Sequence, residues 1–163
     1  MELKRRLDFR KVLIVLYFVA FIAYLIVGLR PVDAKQYDII AQLSIPSIEL
    51  ASDVAATQLQ NGALETPDKI VGSFSNHENK TFLFGHSSTV FEKLNQVRIG
   101  DNIIYNGEHY KITTQEILPK EDIDMKELLA GTEKDTLVLM TCAGEDLPNS
   151  DATHRLIITA VTE

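Results

Sequence analysis

Residues 12–29, VLIVLYFVAFIAYLIVGL, run for eighteen positions without a charged side chain. As a helix the run is about 27 Å long, close to the hydrocarbon thickness of a bilayer. Lys4, Arg5, Arg6, Arg10 and Lys11 precede it, and Arg30 and the helix-ending Pro31 follow. Three readings compete. A cleaved signal peptide fits the basic start, and Val32-Asp33-Ala34 resembles a cleavage site, but signal cores run to about 7–15 residues. A buried core helix would show a polar face, which this run lacks. Length and flanks favour an uncleaved anchor, and the basic excess before it orients the N-terminus to the cytoplasm. The expected organisation is a basic cytoplasmic tail (1–11), a transmembrane helix (12–29), a linker (30–38) and one extracellular domain (39–163).

That division changes the meaning of the charge. Residues 1–30 hold six basic and two acidic side chains, which leaves ten basic and twenty-one acidic for the rest, near −11. So acidic a domain is not a nucleic-acid binder, nor one that adheres to anionic lipid by charge. An exterior location favours paired thiols, yet the chain has one cysteine, Cys142. It is buried and inert, a link to another molecule, or reactive.

From residue 39 the pattern is that of short strands: DIIAQLSIP, SIELA, KIVGSF, TFLFGH, DNIIYN, HYKITTQEIL, TLVLMTC and HRLIITAVT. They are rich in β-branched and aromatic residues and are separated by Gly, Pro, Asn and Asp. Asn106-Gly107 is the strongest hairpin signal, since both residues tolerate positive φ. Eight or so strands at this spacing predict an all-β barrel or sandwich. Short helices are expected in STVFEKLNQV, with Phe91 and Leu94 inward, and in KEDIDMKELLAG, which opens with acids and stops at Gly131.

Four histidines are candidates for chemistry. His77 falls in a polar run, His109 follows the hairpin turn, and His154 alternates with Arg155 along a strand. His86 differs: it ends the apolar run TFLFG, after a glycine that lets neighbouring chain come close. Cys142 likewise ends an apolar run, and such strand ends are where a rigid scaffold exposes reactive groups. A thiol with pKa about 8.5 needs a base or cation nearby to become a nucleophile at neutral pH. His86 can be that partner and can then protonate a leaving group. Arg155 keeps its proton, so it is a donor to a developing oxyanion rather than a base. Taken singly, each has an ordinary structural reading, as a satisfied histidine or a surface ion pair.

No metal and no cofactor is expected. Cys-x-x-Cys and His-x-x-x-His are missing, and the acids at Glu121, Asp122 and Asp124, or Glu145, Asp146 and Asp151, lack the spacing of a calcium loop. There is no glycine-rich phosphate loop.

These pieces together resemble the sortases, membrane-anchored cysteine transpeptidases of Gram-positive bacteria. The matching stretches are LSIPSIEL, TFLFGHSSTVFEKLNQVRIGDNIIY, TLVLMTC and HRLIITA, in the family's order and downstream of an apolar anchor. The resemblance implies a closed eight-stranded β-barrel in which His86, Cys142 and Arg155 meet at one groove. It implies that Cys142 attacks the Thr–Gly bond of an LPxTG-like sorting signal to give a thioacyl enzyme. His86 would protonate the leaving amine, Arg155 would hold the substrate and its oxyanion, and Thr141 would touch substrate. The implied partners are secreted proteins bearing the signal and an amine acceptor, a cell-wall precursor or a pilin. Residues 143–153 and 118–135 would wall the groove. With no second apolar run after Val161 and only Glu78 as an acid between Ser73 and Thr81, a small housekeeping or accessory member without the family's calcium site is expected. The competing class is a membrane-tethered barrel that binds a peptide or wall component without turnover.

Overall fold

In the computed structural model the chain divides into two units, residues 1–36 and 37–163. The structure describes residue 17 and residues 37–60, 63–143 and 153–162. The expected anchor therefore lies, Tyr17 apart, outside the described residues, as does most of the expected loop 143–153. Among the described residues no helix is long and apolar enough to cross a membrane.

Residues 37–163 are built mostly of strands: β1 (Ile39–Ile45), β2 (Leu50–Ala56), β3 (Leu59–Gln60), β4 (Ala63–Leu64), β5 (Val71–His77), β6 (Lys80–Phe84), β7 (Asn102–Tyr105), β8 (Glu108–Pro119), β9 (Thr136–Ala143) and β10 (His154–Thr162). Eight of them close a barrel in the order β1-β2-β5-β6-β9-β10-β8-β7, and β3 and β4 form a separate small hairpin. The barrel expectation holds. Closure removes the open edges on which a sheet of this size would otherwise pair with other chains.

Local chemistry explains the joints. Asn106 and Gly107 take φ of 51° and 87°, and Tyr105 pairs with Glu108, so the two-residue turn between β7 and β8 forms where the sequence signals it. The expected strand SIELA is instead broken. Pro46–Ile48 is a 3₁₀ turn, with proline near its start and Glu49 at φ 57° as its left-handed cap, and β2 begins at Leu50. After His86 the chain makes turns and only one 3₁₀ segment, Leu94–Gln96, although Phe91 and Leu94 are buried as expected. The acidic stretch gives a 3₁₀ turn at Lys120–Asp122 and a single helical turn at Met125–Leu128. Asp124 caps that turn by accepting from the amides of Lys126 (2.8 Å) and Glu127 (3.4 Å).

Strand alternation sorts the apolar residues into two cores. Leu83, Leu137, Leu139, Leu156, Ile158 and Ala160 face the barrel interior with Leu43, Ile45 and Ile103. Phe82, Phe84, Val138 and Ile157 face outward and form a second cluster. Leu118 near the end of β8 and Ile123, Leu128 and Leu129 of the β8–β9 connection pack against it, with Leu64, Phe74 and Met140. Burial of each large side chain contributes about 1.5–3 kcal/mol. The outer cluster thus holds the connection against β6 and β9, the strands that carry the site.

Candidate active site

Cys142 is the penultimate residue of β9 and Arg155 the second residue of β10, and the antiparallel register makes them direct partners. On β9 the outward residues are Val138 and Met140, so alternation turns Cys142 outward too; on β10 the same parity joins Arg155 to Ile157. Cys142 is half-buried, neither sealed in the barrel nor fully open. Arg155 is half-buried and its Nη1 donates to the carbonyl of His154 at 2.9 Å.

His86 arrives from the other side of β9. β6 runs parallel to β9 with Phe84 opposite Met140. His86 follows Phe84 by two residues, as Cys142 follows Met140. The two chains are still in contact there, since Gly85 N–H donates to Met140 O at 3.4 Å and Thr141 Oγ1 donates to Gly85 O at 2.8 Å. His86 is half-buried, and its carbonyl accepts from the amides of Thr89 (3.2 Å) and Phe91 (3.0 Å) in the turn that follows. Topology therefore brings β6, β9 and β10 side by side at one end of the barrel, with histidine, cysteine and arginine in that order.

The other histidines are elsewhere. His77 is exposed at the end of β5 and His109 is exposed on β8. His154 shares the Cys142 end but alternates with Arg155, and its Nδ1 is hydrogen-bonded with Thr153 Oγ1 at 2.8 Å. Thr141 is only 4% exposed. The inward turn that buries it follows from the same alternation that turns Cys142 out.

Two features were not foreseen in the sequence. One is the outer apolar cluster. Its signal was the lack of alternation in TFLF and TLVLM, the mark of strands covered on both faces. The other is the fixing of the β8–β9 connection to the β5–β6 hairpin. Thr132 Oγ1 donates to Asn79 O at 3.2 Å, and Gly131 lies so close to the His77 ring that a Cβ there would meet it at 3.2 Å. Beside this contact, burial pulls the Lys80 ammonium below its usual pKa, partly offset by the Glu127 carboxylate.

A cleft of about 310 Å³ lies away from Cys142. It lies between the β1–β2 corner and the turn after His86, lined by Glu49, Lys69, Glu92 and Lys93 among others. Among the described residues no group of His, Cys, Asp and Glu is arranged to hold a metal ion.

Residues 43–163 match the family model of the Sortase domain. No curated protein matches the chain. Among solved structures it is similar to the lid mutant of sortase A from Corynebacterium diphtheriae, at 25% identity and TM-score 0.60, over 81% of this chain and 74% of that one. Sortase C1 from Streptococcus suis is similar at 23% identity and TM-score 0.61, over 78% and 74% of the two chains. The Group B Streptococcus pilus island 1 sortase C2 is similar at 19% identity and TM-score 0.60, over 79% and 76%. The two C-type structures speak to the fold alone.

Proposed function

The chain belongs to the sortase family, and from that premise we propose that it is a cysteine transpeptidase acting on an LPxTG-like sorting signal. Cys142 is the nucleophile. Its sulfur adds to the Thr carbonyl of the scissile Thr–Gly bond, and the C–N bond breaks as His86 gives a proton to the departing glycine amine. A thioester to Cys142 remains. An acceptor amine, from a cell-wall precursor or a pilin, then adds to that carbonyl and passes its proton to His86. The thiolate leaves, and a new amide joins the secreted protein to its acceptor.

Arg155 supplies a fixed positive donor for the oxyanion formed in each step. One such donor is worth about 10²–10³ in rate. The single observation that carries the reading is the direct pairing of Cys142 with Arg155 at the barrel end where β6 delivers His86. The outward parity of Cys142 and Arg155 gives both access to an extended peptide lying along the outer face. The stretch 118–135 serves as one wall.

The same reading keeps residues 12–29 as a single membrane anchor, with the tail 1–11 in the cytoplasm and residues 39–163 outside. Its support is the eighteen-residue charge-free run and the basic residues before it. A tethered enzyme of this orientation meets its clients as they emerge from the membrane.

The test is to incubate residues 37–163 with an LPxTG-type peptide, with and without a primary amine. Cleavage between Thr and Gly with an amine-joined product supports the transpeptidase. Cleavage that yields only free acid in the presence of amine makes the protein an endopeptidase. Binding without cleavage, unchanged in Cys142→Ala, makes it a non-catalytic barrel.

A further inference from the structure

We propose that Thr141 is a positioning residue for His86, acting through the carbonyl of Gly85; this rests on the reading of His86 and Cys142 as the reacting pair. The parallel register of β6 and β9 closes at Phe84 and Met140, where the Gly85 amide reaches Met140 O over a long 3.4 Å. From there the chain leaves β9 for the turn that carries His86. At that point of departure Thr141 Oγ1 donates to Gly85 O at 2.8 Å, a buried bond between residues 56 apart in sequence.

Gly85 has no Cβ to restrict its own torsions. The peptide plane joining it to His86 is therefore set by what holds its carbonyl and by what presses on its α-carbon. Val90 and Phe91 press on it: a Cβ at Gly85 would lie 2.5 Å from Val90 Cγ1 and 3.1 Å from Phe91 Cδ2. Thr141 holds the carbonyl, and it belongs to the strand that bears the cysteine. The separation of imidazole and sulfur then runs through one side-chain bond, with one covalent neighbour on each side of it. Because the Thr141 proton is committed to Gly85 O and the residue is 4% exposed, the hydroxyl has no proton to donate to substrate. The resemblance that makes Thr141 a substrate contact and the geometry that makes it a clamp predict different kinetics.

Thr141→Val keeps the shape and removes the donor; Thr141→Ser keeps the donor. With a sorting-signal peptide, Thr141→Val lowers kcat by roughly 10–100-fold, the scale of a misplaced catalytic group, while KM stays within about twofold. The His86 ring resonance, assigned by its loss in His86→Asn, shifts in Thr141→Val. Thr141→Ser returns both the resonance and most of kcat. Should Thr141→Val not fold, Thr141→Ala carries the same expectation, since it removes the donor without crowding the carbonyl. A raised KM at native kcat, an unmoved His86 resonance, or equal losses in the Val and Ser variants overturns the clamp. His86→Asn with native kcat would instead sink the catalytic pair, and the resonance would still decide the clamp by itself.

Discussion

Cys142 and Arg155 are cross-strand partners in a register that continues without a slip from His154↔Ala143 to Val161↔Thr136. A one-residue shift would send the guanidinium to the other face of the sheet. The pairing is pinned by the inward residues Leu137, Leu139, Leu156 and Ile158, which cannot change faces without emptying the core. Site geometry is thus inherited from barrel packing.

Arg155→Ala should lower kcat for peptide cleavage by about 10²–10³ with little change in folding, since it removes one oxyanion donor. Arg155→Lys should recover only part of this, because an ammonium lacks the planar fork of the guanidinium. Steady-state kinetics with circular dichroism as the folding control checks it. Native kcat in Arg155→Ala would remove arginine from the mechanism.

Gly85→Ala should damage both stability and rate. The added methyl meets Val90 Cγ1 at 2.5 Å, and overpacking of this kind costs about 1–3 kcal/mol. Val90→Ala in the same chain should relieve the clash and restore much of the melting temperature. Thermal unfolding of the single and double variants measures the coupling directly.

Asp124→Ala should loosen the groove wall without unfolding the barrel. The carboxylate holds the amides of Lys126 and Glu127 at the start of a single helical turn, and loss of such a cap costs about 0.5–2 kcal/mol locally. Hydrogen exchange should show faster amides at Lys126 and Glu127, while protection in β9 and β10 is retained.

Tyr110 predicts an alkaline limit to stability. Burial, and then the hydrogen bond and charge of Glu108, push its phenol up to about 12. The native state therefore holds this proton more tightly than the unfolded chain, whose phenol titrates near 10. The stabilisation is complete below about pH 10 and is lost as pH rises towards 12. Lys80, with its pKa lowered, contributes in the opposite sense over the alkaline range. The readout is therefore the difference between native protein and Tyr110→Phe in denaturant unfolding at pH 8 to 11. Tyr110→Phe should flatten the loss; parallel curves would contradict it.

Much of this architecture is legible in the sequence because its causes are local. Asn106-Gly107 marks a turn by its tolerance of positive φ, and seven of the eight apolar runs mark barrel strands. Cys142 and His86 stand out because each ends such a run. What stays hidden depends on partners distant along the chain. Val138 and Met140 cannot be recognised as an outer face until the β8–β9 connection is seen to cover them. Pro46 to Glu49 reads as continuous with a strand until the left-handed Glu49 turns the corner. Thr141 is the instructive case: strand parity alone turns it inward, away from its neighbour Cys142, while its hydrogen-bond partner 56 residues away shows only in three dimensions.

Intact-mass spectrometry of residues 37–163 mixed with an LPxTG-type peptide, followed by peptide mapping, tests the catalytic account most directly. The account predicts a covalent adduct equal to the acyl fragment ending at Thr, located on Cys142, formed slowly in His86→Ala and discharged by an added amine. A protein that cleaves or binds the peptide with no adduct on Cys142, and does so equally well as Cys142→Ala, would contradict it.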